Sequence, residues 1–127
     1  MGATKEALLA LSLRRESVPV PELGDGAEVI VQEMTAAARE RYGEGLMYED
    51  PDDPDEKGEP RLKRRVGSLY ARLVAFSVVD EDGKLLFGEG DVERVAGMPA
   101  RVVERIAAVA ARVSGIGDKA LEAARKN

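Results

Sequence analysis

One stretch near the C-terminal end constrains this chain more than any other. Pro99 suits only the first turn of a helix. From there Val102, Ile106, Val109 and Val113 recur at helical spacing, widened by Val103 and Ala110. Arg101, Glu104, Arg105 and Arg112 lie mostly off that stripe. The pattern predicts an amphipathic helix with one face to bury, stopped at Gly115. The rest of the chain must supply what covers that face.

The remaining segments are short and mixed. Ser17 to Pro21 alternates, but its two prolines remove ladder donors, so it predicts an edge strand or an extended arm. Leu23 to Gly26 is turn chemistry, and Glu28 to Met34 is β-branched and strand-like, which together predict an N-terminal hairpin. Thr35 is an N-cap for a helix over Ala36 to Tyr42, ended by Gly43. From Leu62 the pattern suits a short helix that gives way to a strand near Arg72, followed by the turn 80–84 and a strand Leu85 to Phe87 as a second hairpin. Asp91 caps a short helix Val92 to Ala96, and Asp118 caps a last one from Lys119. The fold class is therefore α+β: a small single domain over residues 1–127, with two β-hairpins, a principal C-terminal helix and several short helices.

Two segments stand apart. Residues 44–60 hold eight acidic residues against one Lys, three prolines and few apolar side chains. Burial cannot offset the ordering entropy of such a stretch, so an acidic mobile loop is expected. Residues 1–11 read as a flexible extension. Ala7 to Leu13 (A-L-L-A-L-S-L) is apolar, but Arg14 and Arg15 follow where a small-residue cleavage site belongs, so a signal peptide does not fit.

Composition removes whole classes of chemistry. The 127 residues include no Cys and no His, which excludes disulfides, thiolate catalysis, the commonest general base and the commonest metal ligand. The net charge of −5 opposes a nucleic-acid backbone. No apolar run reaches the roughly eighteen residues of a membrane span, and a cytoplasmic protein is expected. Aromatics are only 4%, so the core must be built from Val, Leu, Ala and Ile, each burying little area. Modest monomer stability follows, with self-association expected to complete some of the apolar surface.

The ligand-like motifs fail on context. Glu49 to Asp55 is acidic enough for calcium, but Asp55 stands where an EF-hand loop needs Gly. Asp80-Glu81-Asp82-Gly83 is a hairpin tip by its turn residues. Gly115-Ile116-Gly117 follows a helix, whereas a dinucleotide fingerprint follows a strand. The five serines have no His partner, and three Tyr with two Phe are a poor platform for a carboxylate-pair glycosidase. The basic cluster Arg61, Lys63, Arg64 and Arg65 follows a stronger acidic block, to which it is expected to pair. No catalytic residue, cofactor or metal is expected.

Several of these segments occur together in a particular order: the opening S-L-R-R-E-S-V-P-V-P-E-L-G-D-G-A-E-V-I-V-Q-E-M-T, then V-V-D-E-D-G-K-L-L-F, G-D-V-E-R-V, the Val-rich helix, S-G-I-G and A-R-K-N. That order resembles the tail assembly chaperones of long, flexible-tailed phages and prophages, over about Ser12 to Asn127. Met1 to Leu11 departs from the usual short start of such proteins. The resemblance implies a non-enzymatic assembly factor. It would bind the tape measure protein, keep it soluble, help recruit tail tube subunits and leave before the virion is complete. It also implies self-association into open or spiral oligomers, and a longer frameshifted product continuing near Asn127. The rival expectation is a small structural or adaptor protein retained in the tail particle. The expected contact surfaces are the Pro-rich edge at Val18 and Val20 and the segment from Ile116 to Leu121.

Overall fold

The computed structural model describes residues 2–65 and 67–117. The expected helix from Lys119, with its cap Asp118, and the contact residue Leu121 lie outside them. The elements in chain order are α1 (Lys5–Leu9), β1 (Arg15–Pro19), β2 (Glu28–Gln32), α2 (Ala36–Glu44), β3 (Met47–Pro54), β4 (Pro60–Arg64), α3 (Leu69–Ala75), β5 (Val78–Val79), α4 (Val92–Ala96) and α5 (Ala100–Val113). Short 3-10 turns occupy Pro21–Leu23 and Glu89–Asp91. This is the small α+β fold expected, with one long helix near its C-terminal end.

A three-stranded antiparallel sheet in the order β1-β2-β5 forms one layer. Its register pairs Glu16 with Val31, Val18 with Val29, and Val31 with Val78. These residues share the face on which α5 packs, and α3 and α4 pack beside α5 to close the core. The helix buries Val102, Val103, Ile106, Ala107, Ala110, Ala111 and Val113. Val109 sits at the margin, only partly buried, so the buried stripe is rotated slightly toward Ala107 and Ala111. Small side chains on that face let the helix approach the valine-rich sheet closely.

Local stops follow backbone chemistry. Gly115, at φ +71°, follows α5, and the N–H of Ile116 reaches back to the Ala111 carbonyl at 2.7 Å while that of Gly115 reaches Arg112 at 3.2 Å. This is a Schellman stop, and it supplies acceptors' partners at the helix end. α2 runs through Gly43 to Glu44, two residues beyond the expected end. Its terminal carbonyls are capped from outside: the Arg72 guanidinium donates to Arg41 O at 2.9 Å and Tyr42 O at 3.3 Å. Gly45 leaves room for that group, because a Cβ there would overlap it.

Three expectations are corrected. The run Leu73 to Val79 is helical as far as Ala75, and only Val78–Val79 pairs as a strand. α3 is packed against α4 and α5 with Leu69, Ala71, Leu73, Val74 and Ala75 all buried, and a helix covered on most sides has the same continuous apolar run as a buried strand. The second hairpin shrinks accordingly to a single bridge between Val79 and Leu85 around the 80–84 turn. The segment expected as an acidic loop is instead the antiparallel hairpin β3-β4, and the basic residues expected in a helix form its second strand. Lys63 lies between Asp50 at 2.8 Å and Asp53 at 2.9 Å, so cross-strand charge pairing replaces the missing apolar face.

Candidate interaction surfaces

Val18 and Val20, chosen from sequence as contact residues, are each only 3% exposed, with their side chains in the core. What β1 offers a partner is backbone. The N–H of Val20 bonds Ala27 O at 2.8 Å, and the N–H of Glu33 bonds Arg14 O at 2.8 Å, so even-numbered residues of β1 point their polar groups at β2. Arg15, Ser17 and Pro19 therefore point theirs at the free edge, where Pro19 has no N–H to give. Ile116 is partly buried against the core and belongs to the helix stop. The structure thus does not bring Val18, Val20 and Ile116 together as one exposed patch.

Two carboxylate clamps hold β1 and the turn after it onto α5. Glu22 accepts from Arg105 at 2.8 Å through both of its oxygens and from Arg101 at 3.3 Å. The Arg105 guanidinium is the main reason its carboxyl is held far below the usual range, from 4.5 to about 2. Glu16 accepts from Arg112 through both oxygens at 2.8 Å, which also lowers its carboxyl. The cations that lie off the apolar stripe of α5 are thus intramolecular fasteners. Sequence reading had no signal for these pairs, whose members are separated by 79 to 96 residues.

Apolar groups are exposed in two places that were not among the contact surfaces expected from sequence. α1 buries none of its residues, and Leu8, Leu9 and Leu11 are 59%, 77% and 74% exposed. Between α3, α4 and α5 lies an open groove of about 160 Å³, floored by Ala71 and Val103 and rimmed by Tyr70, Ala96, Met98 and Ala100. The β3-β4 hairpin forms its own two-stranded sheet, separate from β1-β2-β5. Its end is closed by Asp55, which accepts from the N–H groups of Lys57 at 2.8 Å and Glu59 at 2.9 Å, with Gly58 at φ +82°. Among the described residues no group of three or more acidic, His or Cys side chains is placed to hold a metal, and no helix is long and apolar enough to cross a membrane.

Fold and surfaces together define a small α+β protein with one long helix near its C-terminal end. The family model described as phage tail assembly chaperone matches residues 6–126, and the chain belongs to that family, a non-enzymatic one serving virion assembly in phages and prophages. In fold it is similar to a solved tail assembly chaperone of bacteriophage HK97, with a TM-score of 0.53 and 19% identity, over 80% of this chain and 85% of that one. No curated protein matches it.

Proposed function

We propose that this chain binds the tape measure protein of its phage in the host cytoplasm, keeps it soluble and helps recruit tail tube subunits around it, by non-covalent contacts and self-association. The observation that carries the reading is the family match over residues 6–126. Physical features support it. A chaperone of this kind needs exposed apolar groups on a body charged enough to stay soluble. The leucines of α1 supply the first and the net charge of −5 supplies the second. The two Arg–carboxylate clamps keep β1 on α5, so binding need not open the core.

The test is affinity purification of the tagged chain from cells making the tape measure protein encoded beside it, together with mass spectrometry of finished virions. Co-purification from lysate and absence from virions are expected. A chain retained in virions supports instead a structural adaptor of the tail, and failure to capture the tape measure protein sinks the proposal.

A further inference from the structure

The chain works by non-covalent contact in the proposed function, and on that reading we infer that the outer edge of β4 receives an extended, acidic segment of a partner protein. The segment adds to the β3-β4 sheet as its third strand.

The edge is open in its backbone. The N–H of Arg65 bonds Leu46 O, and the register pairs Tyr48 with Lys63 and Asp50 with Arg61. Alternation along an antiparallel pair then turns the polar groups of Arg61, Lys63 and Arg65 toward β3, and those of Leu62 and Arg64 away from it. Among the described residues β4 pairs with no strand but β3, so the N–H and C=O groups of Leu62 and Arg64 stand ready for a further strand. The opposite edge of the hairpin is blunted. β3 carries Pro51 and Pro54 and its register shifts between Asp50 and Pro54, which leaves Met47 and Glu49 alone facing outward in its regular part.

Charge selects what can sit there. Residues 60–65 contain Arg61, Lys63, Arg64 and Arg65 and no acid, a formal +4 in a chain of net −5. Lys63 lies 2.8 Å from Asp50 and 2.9 Å from Asp53, and Arg61 lies 3.6 Å from Asp53, so these two cations are turned to β3. Arg64 and Arg65 have no carboxylate within ion-pair distance among the described residues, and Arg65 lies 5.3 Å from the centre of the Tyr48 ring. Neighbouring strands run about 4.8 Å apart, so an added strand meets the β4 side chains directly and has the β3 acids one strand further off. Opposite charges attract across a strand pair and like charges repel, which favours carboxylates facing Arg64 and Arg65. Leu62, 64% exposed and on the same face as Arg64, adds an apolar contact. A second copy fits less well: its β4 brings the same cations to the pairing, and its acidic β3 is the blunted edge.

The probe is a labelled synthetic peptide alternating Glu with Val and Thr, compared with its Lys-for-Glu counterpart by fluorescence anisotropy against the full chain. The Glu peptide is expected to bind about tenfold or more tighter than the Lys peptide, and amide exchange at Leu62 and Arg64 is expected to slow in the complex. Leu62→Pro removes an outward N–H and leaves the β3-β4 ladder its donors. It is expected to abolish binding, whereas Leu62→Ala keeps most of it. Arg64→Glu combined with Arg65→Glu is expected to reverse the preference between the two peptides. Circular dichroism and melting temperature establish that each variant is folded, and the amide exchange of the native chain stands whether or not Leu62→Pro folds. Equal binding of the two peptides, no binding of either at millimolar concentration, or unchanged exchange at Leu62 and Arg64 overturns the inference. Tighter binding of a single-stranded oligonucleotide of equal charge also overturns it, as does loss of self-association in Leu62→Pro, which gives the edge to a second copy. The proposed function fails separately, when the chain does not capture the tape measure protein.

Discussion

At the scale of single residues, the core depends on modest side chains fitted closely. Leu73 is fully buried at the centre of α3. Leu73→Ala is expected to cost about 2–5 kcal/mol in urea unfolding, since the small neighbours around it cannot collapse far into the space left. Ser77 is the opposite case. It is fully buried, and its hydroxyl meets no hydrogen-bond partner among the described residues. Ser77→Ala is therefore expected to leave stability unchanged or raise it by about 1–2 kcal/mol, read as a higher midpoint in the same titration. Arg72 shows a residue with three jobs. It caps two carbonyls of α2, lies 5.1 Å from the centre of the Phe76 ring, and occupies the space that Gly45 keeps open. Gly45→Ala pushes the guanidinium off those carbonyls, and a lower melting temperature is the expected result.

At the scale of elements, the turn after β1 and the β3-β4 hairpin make contrasting claims. The Glu22 carboxylate titrates near 2 in the fold against an ordinary 4.5. A depressed carboxyl contributes stability that is fully present above 4.5 and is lost as pH falls toward 2. The melting-temperature gap between the native chain and Glu22→Gln is thus expected to be constant above about pH 5 and to shrink through that window. A gap that stays flat down to pH 2 would mean the clamp is not formed. The hairpin, by contrast, forms its own small sheet and takes no part in the buried cluster beyond Leu46 at its base. Replacing residues 49–61 by a short turn is expected to shift the melting temperature by no more than about 2 °C, given that its ion pairs are exposed.

These elements also show how far the sequence could be read. The stripe on α5, the Thr35 cap and the β1-β2 pair follow from patterns that residues a few places apart determine. The β3-β4 hairpin was hidden because its strands lack the apolar alternation that normally marks strands; pairing is carried by Asp50, Asp53, Arg61 and Lys63. A signal was nevertheless present. Asp55-Glu56-Lys57-Gly58-Glu59 has the same Asp-and-Gly turn chemistry as Asp80-Glu81-Asp82-Gly83-Lys84, and in both the Asp carboxylate accepts from N–H groups two and four residues on. The end of α2 was missed for another reason: its cap, Arg72, lies about thirty residues away in sequence. Of the expected contact residues, Val18 and Val20 are placed by alternation on the covered face of an edge strand. The edge is open only in its backbone.

At the scale of the whole molecule, a compact body of helices on a small sheet carries a leucine-rich arm and a charged hairpin that add little to its core. Membership of the tail assembly chaperone family sets the role. The most direct test is the fraction of the tape measure protein that remains soluble when it is made with and without this chain, measured by quantitative blotting of supernatant and pellet. The expected result is a shift from mostly pelleted to mostly soluble on co-expression, maintained by Ser77→Ala. A tape measure protein that pellets to the same extent in both conditions, with this chain folded and abundant in the supernatant, would contradict the proposed function.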